Sequence, residues 1–483
     1  MPFSTDRRKL LTGALGISAL ALTDTGFAKT AGDPRLRLLP RFFTDLEQRT
    51  FRFFWERTNP ATGLVPDRWP TPSFASIAAI GQGLTAYPLG VERGWITRAQ
   101  ARQRTLNTLR FLARLPSGPE PSGTAGHKGF FYHFLHLDSG LRYHETELSS
   151  VDSTILFMGM LFAAGWFDRN DPAEHEIRRL AHELVERAEW DWMARPDGGI
   201  SMGWHPEHGF IERIWDGYNE GKMVYVLALG ARRHPVRGDA WNVWTASYPR
   251  FWRGAGATRR LGFGPLFGHQ FSEIWIDFRG IFDAPMRAAG FDYFENSRRA
   301  TWAQRAYAEA NPMQFELYGK NVWGLSAGDG PGNYLVERGG RKAQFRGYSA
   351  RGPLGEPDEF DDGTLSPPAL ISAMPFAPEI VIPAVETLAR RKDPRLYGRY
   401  GFMNGYNPSF RDPALKPENG SVDPQLGWVG GDWLGLDQGA LFNSLANYRS
   451  EAVWRVMRRD PTVIRGLKRA GFSGGWLGAH GSG

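Results

Sequence analysis

The sequence predicts an all-α chain whose helices pack as two concentric rings, a double-ring helical toroid with long rim loops. Three observations predict it. Amphipathic stretches recur along the chain with the three-to-four spacing of helices rather than the alternation of strands. No Ser/Gly-rich linker separates them, so they are expected to share one core. The segments between them are long and rich in Gly and Pro, yet carry aromatic residues that a disordered linker would lack.

The first 28 residues stand apart from that fold. Arg7 and Arg8 precede an apolar run at 14–22, and Gly26-Phe27-Ala28 offers small residues where a signal peptidase reads. This is the pattern of a twin-arginine export signal, with cleavage expected after Ala28. The apolar run is far shorter than the roughly 20 residues of a spanning helix. The mature protein is therefore expected to be periplasmic or secreted, with no membrane contact after cleavage. A linker at 29–40 then leads into a single domain at 41–472 and a Gly-rich tail at 473–483, which Trp476 is placed to tie down.

Within that domain, helices are expected over 45–56, 74–93, 97–115, 149–166, 172–193, 219–233, 239–251, 272–289, 297–311, 366–374, 378–391, 435–457 and 462–470. That is about the dozen a double ring needs. Ser149 reads as an N-cap, with Asp152 three residues on. The loops at 116–128, 197–213, 254–268, 319–359 and 400–432 hold Trp204, Trp323, Tyr334 and Trp428, and read as the rim of a cleft.

Composition narrows the function. With no cysteine, disulfides, thiolate metal sites and cysteine nucleophiles are excluded. The net charge of +7 comes from scattered basic residues rather than a stripe, which speaks against nucleic-acid binding. No Gly-x-Ser-x-Gly elbow, phosphate loop or dinucleotide fingerprint stands in a strand-turn-helix context, so neither serine-hydrolase chemistry nor a cofactor is expected. Aromatic residues make up 13% of the chain, many beside Gly, Asp or Asn, as suits sugar rings stacked on aromatic faces.

Glycosidic hydrolysis needs one carboxylic acid to protonate the leaving oxygen and a second carboxylate to activate water or attack the sugar. Five places offer carboxyls in such settings. In Trp215-Asp-Gly-Tyr218-Asn219-Glu220, Glu220 starts an apolar helix, where it would serve either a cleft or the helix dipole. Before the helix at 149, Glu147 and Asp152 suit a base or a sugar-binding floor as well as a cap. In His269-Gln270-Phe-Ser-Glu273-Ile-Trp275-Ile-Asp277-Phe-Arg279, a helix would align His269, Glu273 and Asp277 on one face; with no second histidine at ligand spacing, the row is expected to line a polar cleft without metal. Asp362, in the acidic run 358–362, and Asp437, at a late helix start, each offer a further carboxylate.

Taken in order, Phe130 to Leu135, Glu147 to Asp152, Tyr218-Asn219-Glu220, His269 to Arg279, Trp323-Gly-Leu-Ser-Ala327, Asp362-Gly-Thr364 and Asp437-Gln-Gly with Asn447-Tyr-Arg449 resemble the glycoamylase-like domain. That family includes bacterial endo-β-1,2-glucanases of glycoside hydrolase family 144 and a related domain of cyclic β-1,2-glucan synthases. The resemblance runs from about residue 40 to 472 and implies an (α/α)6 barrel that hydrolyses β-1,2-glucan, with inversion in the endo enzymes and transglycosylation in the synthase relatives. It matches Glu220 to the family's acid and Glu147 and Asp152 to an acid pair, leaving the base open among Glu147, Asp152 and Asp362. Trp215, Tyr218, Asn219, His269, Gln270, Trp275, Asp277, Arg279, Trp323 and Asp437 are the expected substrate-binding residues. Four features depart from the family: Ser153-Thr154 after the acid pair, Gly221 for Ala, Asn404 for Asp and Ala446 for Glu. The last two are expected on the cleft side. Transfer, another β-glucan, or binding without catalysis remain the alternatives.

Overall fold

The computed structural model describes residues 37–338 and 340–480, of which α-helix is the dominant element. The twin-arginine signal and most of the 29–40 linker lie outside the described residues. Among the described residues, no helix is long and apolar enough to cross a membrane.

The chain runs through helices α1 (Arg41–Arg57), α2 (Ile77–Glu92), α3 (Arg98–Arg114), α4 (Ser150–Trp166), α5 (Pro172–Glu186), α6 (Trp190–Met193), α7 (Lys222–Gly230), α8 (Ala240–Thr245), α9 (Phe267–Trp275), α10 (Ala284–Ala289), α11 (Tyr293–Ala310), α12 (Pro367–Ser372), α13 (Pro378–Arg390), α14 (Gly435–Ser450), α15 (Ala452–Met457), α16 (Pro461–Arg469) and α17 (Gly475–Gly478). Helices α2, α4, α7, α9, α12 and α14 are buried on nearly every side. A helix apolar all round belongs in an interior. By contrast α1, α3, α5, α11, α13 and α16 each keep a solvent face and pack outward of the buried set. Neighbouring buried helices touch in sequence: α2 packs on α4, α4 on α7, α12 on α14, and α14 on α2. Lys222 of α7 is paired with Glu273 of α9, and Gln270 of α9 donates to the Ala369 carbonyl of α12.

Close approach between α2 and α4 depends on glycine. A Cβ at Gly81 would stand 2.3 Å from the Ile155 carbonyl oxygen, and one at Gly159 would stand 2.1 Å from that of Gly81. Three buried helices share a serine N-cap: Ser76, Ser149 and Ser366 accept from the amides of Ala79, Asp152 and Ala369.

The rim differs from the open loops that the sequence suggests. It is stapled by short antiparallel strands just before the buried helices: 75–76 pairs with 134–135, 148–149 with 203–205, and 68–69 with 433–434. One longer hairpin joins Tyr334–Arg338 to Arg341–Phe345. Backbone groups buried at the rim need partners, and these ladders supply them.

Several predicted helices are shorter or broken. The 172–193 stretch is two helices, and 435–457 is interrupted at Glu451, whose φ of 53° is left-handed. The 272–289 stretch is broken in the middle: α9 ends at Trp275 and Ile276 is extended, while Asp283 caps a new helix with Pro285 in its first turn. Proline disfavours helical geometry in the residue before it and suits a helix start. The C-terminal tail docks through Trp476, whose indole donates to the Asp277 carbonyl at 2.7 Å.

Candidate active site

Glu220 lies in the turn just before α7, where Gly217 adopts a φ of 72° with its amide on Ser247. The Glu220 carbonyl accepts from the Met223 amide and from the Ser272 hydroxyl of α9, at 3.3 and 3.0 Å. Its backbone is thereby clamped between two buried helices. The carboxyl is buried, and Oε2 finds no hydrogen-bond partner among the described residues. Burial, with smaller contributions from the negative charges of Asp152 and Asp358, pushes its pKa up to about 8. Such a group is protonated at neutral pH and is able to donate.

Beside it stands a second carboxyl cluster. Asp152, in the first turn of α4, accepts from the Ser149 hydroxyl at 2.6 Å through Oδ2, while Oδ1 lies 3.4 Å from His133 Nε2. The other nitrogen of that ring, Nδ1, is 2.7 Å from Glu147 Oε1. His133 is fixed by its own backbone, which donates to the Glu147 carbonyl and accepts from the Ile77 amide. Its ring stacks on Phe134 at 3.8 Å. Burial works to raise the Glu147 carboxyl, but the adjacent His133 ring, a backbone hydrogen bond and the nearby His205 together outweigh it and hold the carboxyl below the usual range.

Phe134 in turn packs on Phe74 at 4.1 Å, and Phe74 lines an open groove of about 680 Å³. Arg68 anchors this groove on Asp329 and Asp67, at 2.9 and 3.3 Å. Asn419 donates to Asp329 and Asp432. Many fixed hydrogen-bonding groups around an open groove suit a polyhydroxylated ligand.

The structure brings together only some of the residues expected in the cleft. Glu220, Asp152 and Glu147 belong to one region, with Asp358 and Arg213 contributing charge beside Glu220. Asp437 is partly exposed and accepts from Asn404, whose own carbonyl takes the Asp329 amide behind the groove. Asp362, expected as a possible base, is instead held by Arg351 in a buried bidentate pair at 2.7 and 2.9 Å, with the Thr364 and Arg346 amides also on its oxygens. Its lone pairs are committed, which corrects that expectation.

Other expected sugar contacts are core. Trp275 is fully buried with its indole on Thr85, and Trp323 is buried in the core formed with α12 and α13. Trp215 donates to Ser150, Tyr218 accepts from Lys222, and Asn219 closes a local turn between the Asp216 carbonyl and the Gly221 amide. His269 donates through Nε2 to the Phe263 carbonyl; its burial drives the pKa down to about 3. Gln270 is spent on Ala369. Asp277 lies beyond the end of α9, not on a face with His269 and Glu273, and its carboxylate is tied to Arg279 and Arg458. Ala446 is buried mid-helix in α14, within the larger apolar core.

His133, Arg68, Asp329 and Asn419 were not singled out by sequence. His133 lies 14 residues from Glu147, and no helical or strand period links the two. The sole available signal was its place in a short aromatic segment.

Comparisons with known proteins agree with this picture. The family model described as "Putative glucoamylase" matches residues 213–461, just over half of the chain. A Bacteroides uniformis structure described in the same words is 27% identical, covers 91% of this chain and 100% of its own, and superposes with a TM-score of 0.76. The endo-β-1,2-glucanase of Chitinophaga pinensis, solved with sophorotriose and glucose, shares the fold at 23% identity and a TM-score of 0.74, covering 90% of this chain and 99% of its own. An exo β-1,2-glucooligosaccharide sophorohydrolase of Parabacteroides distasonis is 24% identical over 456 residues. That alignment takes in 88% of this chain but 57% of the relative's length. By the span of the family match, the chain belongs to the glycoamylase-like family.

Proposed function

We propose that the protein is a glycoside hydrolase that cleaves β-1,2-linked glucan or sophoro-oligosaccharides, with Glu220 as general acid. The observation that carries this is the buried Glu220 carboxyl, with Oε2 lacking a hydrogen-bond partner among the described residues and its pKa lifted to about 8, set beside Asp152. Glu220, kept protonated by burial, and Glu147, held below the usual carboxylate range beside His133, offer the opposite protonation states that acid/base glycosidic cleavage requires. The substrate class follows from the named relatives, which act on or bind β-1,2-glucooligosaccharides.

The base is proposed to come from Asp152 or Glu147, since Asp362 is locked to Arg351. Single displacement with inversion is favoured because both Asp152 oxygens are already engaged, by Ser149 and His133. This suits a carboxylate holding water better than one forming a bond to the sugar. The groove beyond Phe74 is assigned to further glucosyl units.

An (α/α)6 barrel is the proposed architecture, supported by six buried helices that touch in sequence inside an outer set. Export to the periplasm or beyond through the twin-arginine signal, with one catalytic domain at 41–472, completes the proposal.

Incubating residues 29–483 with linear β-1,2-glucan and resolving the products by chromatography tests the activity, and the anomeric form of the first product by NMR tests inversion. Absence of cleavage would refute the hydrolase assignment, and an initial product retaining the β configuration would refute inversion.

A further inference from the structure

The His133 side chain touches both members of the carboxyl pair. Its ring nitrogens lie 2.7 Å from Glu147 Oε1 and 3.4 Å from Asp152 Oδ1. Neutral imidazole offers one donor and one acceptor; only the protonated ring donates from both nitrogens. With a hydrogen-bonded carboxylate at Nδ1 and a second carboxylate at ion-pair distance from Nε2, the protonated ring is the form attracted to both.

The ring has little freedom to leave. The backbone of residue 133 is pinned to Glu147 and Ile77, and Phe134 stacks on one ring face. The charged groups around it are Glu147 before strand 148–149, Asp152 in the first turn of α4, and Glu220 before α7 next to Asp152. His205 on strand 203–205 lies beside Glu147, and the Arg142–Glu207 pair lies beyond it.

We propose that His133 is a positioning residue: as the protonated ring it bridges Glu147 and Asp152 and fixes Asp152 beside the Glu220 acid. This rests on the hydrolase reading for its catalytic consequence, although the bridge itself does not. Removing the ring would leave two carboxylates without their shared cation. Glu147 would then bind a proton at higher pH, and the added negative charge would also raise Glu220.

Rate profiles of His133→Asn and His133→Ala against pH test the catalytic role. The expected result is a kcat lowered by about tenfold or more with KM changed less, and both limbs of the kcat/KM profile moved to higher pH. A purely structural role would lower the amplitude and leave the limbs in place, which would overturn the proposal. Full activity in His133→Ala would overturn it as well.

Carbon-13 NMR of histidine-labelled protein tests the bridge separately. The His133 signal, identified by its loss in His133→Asn, should stay protonated to higher pH than exposed His175, and Glu147→Gln should shift that titration downward. An unchanged titration in Glu147→Gln refutes the bridge whatever the substrate. Normal coupling together with no glucan cleavage would refute the hydrolase reading instead.

Discussion

At the residue scale, the acid role proposed for Glu220 rests on its solvation. A carboxyl whose native pKa lies near 8 against an unfolded value near 4.3 stabilises the fold while protonated. That stability is fully present below about pH 4.3 and is lost as pH rises through 8, at up to about 1.4 kcal/mol for each pH unit between. Glu220→Gln is neutral at every pH, so it should melt higher than the parent at pH 8–9 and close to it at pH 4. Parallel melting curves across that range would count against the buried, protonated acid. The same variant should lose about 10²–10⁴-fold in kcat with the fold intact. Parent activity should fall along a basic limb near pH 8, as the proton that Glu220 must give is lost.

Two residues away, Lys222 is fully buried, 3.2 Å from Glu273 and 3.0 Å from the Tyr218 hydroxyl. Burial works to strip its proton, but the Tyr218 and Glu273 oxygens outweigh it and hold the pKa above the ordinary lysine value. Lys222→Met would leave Glu273 buried without its cation, at a cost of about 3–5 kcal/mol. The double variant Lys222→Met with Glu273→Leu should recover much of that in denaturant melts. Gly221 also finds its reason here. A Cβ would stand 2.7 Å from the Trp244 ring, so the departure from alanine accommodates this chain's own packing.

At the element scale, the α2–α4 crossing is the most demanding contact. Gly81→Ala would drive a methyl into the Ile155 carbonyl, which is backbone and cannot swing aside. The expected loss is about 1–3 kcal/mol, read as a lower denaturation midpoint. A neutral result would mean that the two helices are not seated this closely. Most helices were legible in the sequence because their apolar positions repeat at the helical period. Their ends were less so: 272–289 keeps an apolar content compatible with helix, yet Asp277 is drawn off by Arg279 and Arg458, and Pro285 starts the next helix. Ser149 was readable as a cap, since capping depends on neighbours three residues apart.

At the scale of the whole molecule, two large apolar cores are joined by shared helices. Helix α14 gives Phe442 and Ala446 to one and Leu441 and Leu445 to the other, while α1 gives Phe51 and Phe54 to the first and Phe43 and Leu46 to the second. Neither core can open without exposing the other face of the same helices. Calorimetry and tryptophan fluorescence should therefore report one coincident unfolding transition, and two resolved transitions would contradict that coupling.

The sequence by itself determined what local chemistry controls: helical periodicity, serine caps, the absence of cysteine, and an acid at the start of an apolar helix. It also carried the ordered motifs of the glycoamylase-like family. Tertiary structure alone decided which polar residues are free and which are spent. Asp362 and Asp152 are alike as letters, but one is buried against Arg351 and the other stands between Ser149 and His133. Trp275 and Trp323 lie in segments that also carry polar residues, yet both are packed in apolar cores in space. The difference is physical: solvation and pairing depend on groups that are distant along the chain, so no spacing rule can register them. The bridge from Glu147 through His133 to Asp152 is of this kind, formed where three rim segments meet.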